Sequence, residues 1–448
     1  MPGERRRVRG AFNPIQNTAA DDSVPIMVGT SNSTGPVNGR FNVMVAGAGP
    51  AGLACAIALA RSFGAGAHVA LFARDGGEAQ PVAPGQRDSR AVALSAASVR
   101  MLERIGVWSR CRDQAQAVLS IDITDSSLEA GVRPVLLSYA NVLDAKEPAS
   151  HIVPSPALQA ALWQAASEEP KLTILRGVAA SFSAGADEVT VRLDSGAAHS
   201  ARLLIAADGK DSPLRRMAQI KTVEWAYQQT GITVMVRHEK PHEGRAVQHF
   251  LPAGPFAMLP LPGNRTCITW SERTETANRL LALDDAAFVA ELETRAGGRL
   301  GALTLDGPRQ SWPLSFSLAR TFIAPRFALL GDAAHGVHPI AGQGLNLGLR
   351  DAAALAEVVV DTARLGLDIG ASTTLGRYER WRRFDTWMSA IGFDGLNRLF
   401  SSDGALTRSV REFGLGVVNR LPGLKQRLVS EAAGTAGELP RLLKGEAI

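Results

Sequence analysis

Cysteine is scarce in this sequence. Cys55, Cys111 and Cys267 are the three present in 448 residues, and no two stand close enough to form a CxxC or CxxxxC pair. An odd number of widely spaced thiols argues against a disulfide scaffold, a structural zinc site and a redox-active dithiol, and a reducing cytoplasmic compartment is expected. Long apolar runs are missing as well. Nothing approaches the ~18 consecutive apolar residues of a membrane span, so no transmembrane helix is predicted. Aromatics make up 6%, and the basic excess (net charge +5) is spread along the whole length without a dense Lys/Arg stripe. That distribution argues against nucleic-acid binding. Attraction to an anionic membrane surface stays open.

What is present suits a globular protein, with 46% hydrophobic and 20% charged residues. The length is too great for one simple core and predicts two or three structural units. Residues 1–40, rich in Arg, Asn, Ser, Gly and Pro, read as a disordered extension. Arg5, Arg6, Arg7 and Arg9 could open a signal or transit peptide, but no apolar segment follows and Asp21 and Asp22 fit a mitochondrial presequence poorly. A start at Met27 or Met44 is the alternative, the latter cutting into the first strand.

Residues 41–46 (FNVMVA) predict a buried strand, followed by a glycine turn, a helix over 50–62 and a second strand over 68–72. This is the opening of a βαβ unit. Helices are predicted over 95–105 and 156–167, and strands over 189–193 and 201–207. From about residue 223 to 312 the texture changes to alternating or aromatic runs, which predict an antiparallel sheet with Pro252, Pro255, Pro260 and Pro262 at turns or edges. A strand over 326–330 then leads into a glycine-rich loop, and after Asp351 the chain is nearly all helical.

Three motifs carry chemistry. In Gly47-Ala48-Gly49-Pro50-Ala51-Gly52 the first glycine permits a tight turn, the second lets backbone approach a pyrophosphate, and the third lets helix pack on strand. The helix N-terminus adds amides and partial positive charge. The acid that ends the next strand in such sites, where it binds ribose hydroxyls, falls here at Ala73. Asp75 is the candidate in its place. In Asp208-Gly209-Lys210-Asp211-Ser212-Pro213-Leu214-Arg215 a turn at Gly209 meets a helix capped by Ser212, with Arg215 able to reach back. The third, GDAAHGVHPIAGQGLNLGLRD, runs from Gly331 to Asp351. Asp332 ends a strand where it can accept hydrogen bonds from a ribityl chain, and Gly342 and Gly344 allow backbone to approach a flat ring. The positive end of the helix starting near Gly344 favours charge on a reduced flavin. His335 and His338 lack the company of a metal site and read as packed or hydrogen-bonded residues.

These motifs, in this order, resemble the aromatic flavoprotein monooxygenases related to p-hydroxybenzoate hydroxylase. HPIAGQGLNLGLRD is similar to the signature of the UbiH/UbiF/COQ6 family of ubiquinone-biosynthesis hydroxylases, as are DSRAVALSAASVRMLERIGVW, GPFAMLPLP and RYERWRR. The likeness runs from about residue 41 to 434. It implies an α/β fold: a Rossmann-like FAD-binding domain, discontinuous over 41–115, 150–222 and 318–368. An inserted antiparallel β-sheet substrate domain (116–149 and 223–317) and a helical C-terminal region (369–448) complete it. It implies FAD as cofactor, NADH or NADPH as co-substrate, and transfer of oxygen from O2 to a polyprenylated phenol through a C4a-hydroperoxyflavin.

Carried over by motif, Gly47, Gly49 and Gly52 hold pyrophosphate, and Asp208, Gly331 and Asp332 serve the cofactor. Gly344, Leu345 and Asn346 line the flavin ring, and Pro339 lies beside its reactive edge. Arg90 matches an arginine that contacts FAD. The family's polar position in HIVPSPALQAAL falls at Ser155. His249 and Tyr227 lie in the substrate-sheet region, where structural roles are expected. An apolar face of Val410, Phe413, Val417, Leu421, Leu424 and Leu428, ringed by Arg408, Arg411, Arg420, Lys425 and Arg427, fits either an interfacial helix or packing on the protein's own core. Partners are therefore O2, the phenol, other quinone-biosynthesis proteins and the inner face of the membrane. Two other readings stand beside this one: a hydroxylase of a soluble aromatic or secondary metabolite, and a flavin-binding assembly factor without turnover, which the missing acid at Ala73 keeps open.

Overall fold

A computed structural model of the chain describes residues 40–74, 88–125, 135–143, 147–337, 342–400 and 422–448. Its first layer is an eight-stranded sheet with Arg40–Ala46 near the centre. That strand pairs in parallel with Val69–Ala73 on one side and Ala198–Ala206 on the other; Val45 aligns with Leu71 and with Ile205. Leu172–Arg176 extends one flank and Phe327–Leu329 the other, both in parallel. Val43, Met44, Val45 and all of Val69–Ala73 are buried, as expected of parallel strands covered on both faces.

Three helices cover this sheet: α1 (Pro50–Ser62), α3 (Ser155–Ser167) and α7 (Gly344–Arg364), while α2 (Ala96–Arg104) packs against α7. The predicted elements lie within a few residues of those observed. Ser95 is the N-cap of α2 rather than part of it, its hydroxyl accepting from the Ser98 amide. The short α4 (Pro213–Met217) follows the second motif.

A nine-stranded sheet forms the second layer, ordered His335–Gly336, Gln310–Ala319, Thr222–His238, Arg265–Arg273, Gly254–Leu261, Arg245–Leu251, Ser120–Asp125, Val135–Ala140, with Leu303–Leu305 paired to Thr222–His238. The expectation of a sheet throughout 223–312 needs correction. α5 (Thr274–Leu281) and α6 (Asp285–Ala296) interrupt it. They cover one sheet face, burying Ala277, Leu280, Phe288 and Leu292 against Ile232, Val234, Phe256 and Trp270. Asp284 caps α6 and Gly297 ends it in the left-handed region, signals that the aromatic runs around them masked. Pro252 and Pro262 stand in turns. Pro255 and Pro260 lie within the interior strand Gly254–Leu261, but each at a position paired on one flank only, so the missing N–H falls at a local edge.

The opposite sheet face carries Met235, Ala246, Leu261 and Cys267, which meet a small sheet of Ala91–Ser95, Ser150–Pro154 and Gln116–Ala117. This small sheet therefore lies between the two large layers. α8 (Ser372–Phe400) packs on α7, and near the end of the chain Leu439, Leu442, Leu443 and Ile448 enter the main core. Among the described residues no helix is long and apolar enough to cross a membrane. The 1–39 segment and the expected apolar face over 410–428 lie outside the described residues or their described side chains.

Candidate active site

The three motifs converge. Gly47, at φ +119°, is so close to the Ala207–Asp208 backbone that a Cβ there would stand 2.1 Å from the Ala207 carbonyl oxygen. Only glycine fits that turn. A Cβ on Gly52 would lie 2.1 Å from the Gly47 carbonyl oxygen, so this position holds strand and helix together. Gly49 differs: a Cβ there meets nothing within 4 Å, leaving open ground in front of the N-terminus of α1. That terminus has no side-chain cap and no acid in its first turn, so its leading amides face outward without a partner on the helix. α7 starts the same way, uncapped and without an acid in its first turn, at Gly344, Leu345 and Asn346.

Small residues bring these termini together. A Cβ on Gly348 would lie 3.2 Å from the Ala51 Cβ and 3.4 Å from the Gly331 Cα, so α1, the Gly331 turn and α7 meet nearly backbone to backbone. The second motif joins through Arg215, which is buried and donates to the carbonyls of Ala333 (2.7 Å) and Lys210 (2.8 Å). The Ser212 hydroxyl caps α4 by accepting from the Arg215 amide at 2.9 Å. Asp208 accepts from the Leu214 amide through Oδ2 (3.1 Å), while its buried Oδ1 has no partner among the described residues. Burial pushes the Asp208 carboxyl up, against the opposing pull of Ser212, the Leu214 amide and Arg215.

Asp332 is open to solvent and yet deep within the protein's mass. Desolvation raises its carboxyl, and His335 and Lys210 act against that rise. Gly342, at φ +61°, brings the loop to within 3.3 Å of the Ala93 Cβ when a Cβ is added. Asn346 is nearly buried and spends its side chain on protein: Oδ1 accepts from the Ser95 amide (2.9 Å) and Ser98 hydroxyl (2.8 Å), and Nδ2 donates to the Ala93 carbonyl (2.8 Å). Its backbone amide is what remains for a ligand.

Arg90 is exposed and turned onto Asp88, Nη2 to Oδ2 at 2.8 Å. Ser155 meets this segment through its backbone, its amide donating to the Arg90 carbonyl at 3.0 Å. The polar contact from α3 comes instead from Gln159, which donates to the Ala48 carbonyl at 2.9 Å and steadies the first glycine loop. Its signal was an amide side chain, one of two in α3 with Gln164, in a largely apolar helix. His249 faces the α5–α6 side, beside Thr124 and stacked on Phe256, and Tyr227 meets Trp225 edge to face. His335 is paired with Asp351, and no metal-holding cluster exists among the described residues. Asp75, Pro339 and His338 lie outside the described residues, whereas Ala73 ends its strand as expected.

Two uncapped helix termini, open ground before Gly49, an unpartnered buried acceptor at Asp208 and the solvent-facing carboxylate of Asp332 fit an elongated ligand with a phosphate-bearing middle and several hydroxyls. Comparison with known proteins agrees. Residues 40–380 match a family described as the FAD binding domain. The chain is 39% identical to ubiquinone hydroxylase UbiL of Rhodospirillum rubrum, over 92% of this chain and 96% of that one. It is 32% identical to the 3-demethoxyubiquinol 3-hydroxylase of Escherichia coli, over 89% and 99%. Among solved structures, p-nitrophenol 4-monooxygenase PnpA from Pseudomonas putida is similar in fold, with a TM-score of 0.71 at 18% identity over 89% of this chain and 100% of that one. HpxO of Klebsiella pneumoniae, crystallised with FAD and uric acid, is similar at a TM-score of 0.69 and 18% identity over 88% and 96%. The chain belongs to the UbiH/UbiF/COQ6 family of FAD-dependent ubiquinone-biosynthesis hydroxylases.

Proposed function

We propose that this chain hydroxylates the aromatic ring of a polyprenylated phenol intermediate on the way to ubiquinone, using FAD, O2 and NADH or NADPH. The observation that carries it is the similarity to UbiL and to the 3-demethoxyubiquinol hydroxylase over nearly the whole chain, together with the intact glycine turn and helix termini. Bound FAD, once reduced by the nicotinamide, supplies the activation of O2 that no side chain can provide. The protein's own work is to bind, orient and exclude water. Gly47, Gly49, Pro50, Ala51 and Gly52 would hold the pyrophosphate and Asp208 and Asp332 the hydroxyl-bearing chain. The amides of Gly344, Leu345 and Asn346 would meet the ring. Arg90 would leave Asp88 to contact the cofactor, and Asp75 and Pro339 complete the proposed set. Donors fixed before the ligand arrives need not reorganise around charge on a reduced ring.

The decisive experiment loads purified protein with FAD and measures NAD(P)H oxidation and 18O transfer from 18O2 with a prenylated phenol, alongside rescue of a strain blocked in ring hydroxylation. Label in the product and restored quinone are expected. A yellow protein that rescues nothing and whose NAD(P)H oxidation ignores the phenol would sink the reading.

A polyprenyl chain partitions into the bilayer, so this reading also carries a peripheral membrane location. It is supported by α8, where Arg377, Arg380 and Arg383 are exposed without an ion pair among the described residues and precede the exposed Phe384 and Met388. Flotation with anionic liposomes should fall when Phe384→Glu and Met388→Glu are combined; unchanged flotation would count against the location.

A further inference from the structure

Asp351 lies on α7, wholly buried, and its carboxylate serves three elements at once. Oδ2 accepts from the Gly331 amide at 3.2 Å and from His335 Nε2 at 2.6 Å, and Oδ1 accepts from Arg382 Nε at 2.8 Å. Because a carboxylate can only accept, Nε2 carries the imidazole proton. Arg382 comes from α8 and is itself buried; it also reaches Asp385, which binds Arg350 at 2.8 Å. One turn earlier on α8, the buried Tyr378 hydroxyl donates to the Leu329 carbonyl at 2.8 Å. Residues 329, 331 and 335 are thus pinned, two of them through Asp351, by side chains of α8. Asp332 stands between the pins.

An apolar cluster would pack this interior without the desolvation that a buried ion pair entails. Burial works against the charged Asp351, and His335 and Arg382 more than offset it, keeping the carboxyl below its ordinary range. What the ions add over an apolar cluster is direction, since Arg382 holds Oδ1 of Asp351 and so aims Oδ2 at the Gly331 amide and the His335 Nε2–H.

We propose that Arg382 and Tyr378, with Asp351 as relay, are positioning residues that set this turn and through it the affinity and reduction potential of the flavin. This rests on the reading in which Asp332 faces the FAD. With the pins in place the Asp332 backbone has no room to relax. Without Arg382, Asp351 is free to turn, and both N–H groups it orders are released.

The test uses the full-length chain, stripped of FAD and titrated with it. Arg382→Met should raise the FAD Kd by about tenfold and shift the flavin midpoint potential. Asp351→Leu combined with Arg382→Met should do the same while leaving no unpaired charge, which keeps the test open where the single variant fails to fold. Arg382→Lys, which cannot hold Asp351 and Asp385 together, should fall between parent and Met variant. Arg350→Met cuts a neighbouring arm without touching Asp351 and should lower thermal stability with Kd and potential unchanged. A folded double variant that keeps the parent's Kd within about twofold and the same potential overturns the proposal. Asp332→Ala separates the two layers. If it weakens FAD while the Arg382 variants do not, the clasp alone is wrong; if it too leaves FAD binding unchanged, the reading of the turn has failed.

Discussion

Asn346 and Ser95 stand 251 positions apart and are joined by a 2.9 Å hydrogen bond from the Ser95 amide to the Asn346 side-chain oxygen. The bond ties the first turn of α7 to the strand that leads into α2, and the Ser98 hydroxyl shares the same acceptor at 2.8 Å. Asn346→Leu keeps the branched shape and leaves the Ser95 amide unpaired in a buried setting. A loss of about 1–3 kcal/mol in denaturant unfolding is expected, with weaker FAD binding because the α7 terminus is no longer held in register. Equal stability of variant and parent would contradict the structural role.

The glycines of the first motif should separate by experiment. Gly47→Ala forces a Cβ to 2.1 Å from backbone at a positive φ and should yield little folded protein. Gly49→Ala adds its Cβ to open ground, so the apoprotein should unfold within about 1 kcal/mol of the parent. FAD affinity should nonetheless fall, because that ground is where a pyrophosphate would lie. Paired thermal melts and flavin fluorescence titrations read both effects.

Acid should unmask opposite signs in two aspartates. The Asp351 carboxyl is held below its ordinary range, with His335 and Arg382 overcoming burial, so its stabilisation is present above an unfolded value near ~3.9 and is lost as pH falls through the lower folded value. Asp351→Asn should cost about 3 kcal/mol at neutral pH and flatten this acid limb. Asp332 is shifted upward by burial, so its ionised form burdens the apoprotein at neutral pH and the burden lifts on acidification. Asp332→Asn should therefore stabilise the apoprotein while weakening FAD, a combination measurable by denaturation at several pH values.

All three thiols should be silent in the native state. Cys55, Cys111 and Cys267 are buried, and desolvation pushes Cys55 up to about 12 and Cys111 to about 11. Thiolate, the reactive form, is then almost absent at neutral pH. A chromogenic disulfide reagent should report no reactive cysteine until denaturant is added; fast reaction in buffer would mean the interior opens.

The nucleotide-binding layer was legible because its signals are local. A buried strand, GAGPAG and a helix lie within a short window, and Arg40–Ala46 and Pro50–Ser62 follow from it. α5 and α6 were hidden by aromatic and alternating flanks whose period favours a sheet. The turn at Gly47, the close helix contact at Gly52 and the place of Asp332 just after its strand follow from residue type and spacing. Gln159, Arg382 and Tyr378 were not, because each acts on a partner far along the chain and a lone polar residue in a helix announces no partner. Asn346 was read as a flavin neighbour, yet its side chain is occupied by Ser95, Ser98 and the Ala93 carbonyl. A residue type gives its hydrogen-bonding capacity, and only the packed fold tells where that capacity is used.

The sheet order bears on how the protein is made. Arg40–Ala46 is synthesised early, yet one neighbour, Ala198–Ala206, arrives much later, and that strand waits in turn for Phe327–Leu329. Such distant parallel pairings form slowly, and apolar edges stay open in the meantime. A chain still on the ribosome therefore holds its first strand and glycine turn ready with half of their sheet missing. During that interval the glycine turn lacks the Ala207–Asp208 backbone it packs against, so the cofactor site is completed only after the chain has grown past its third motif.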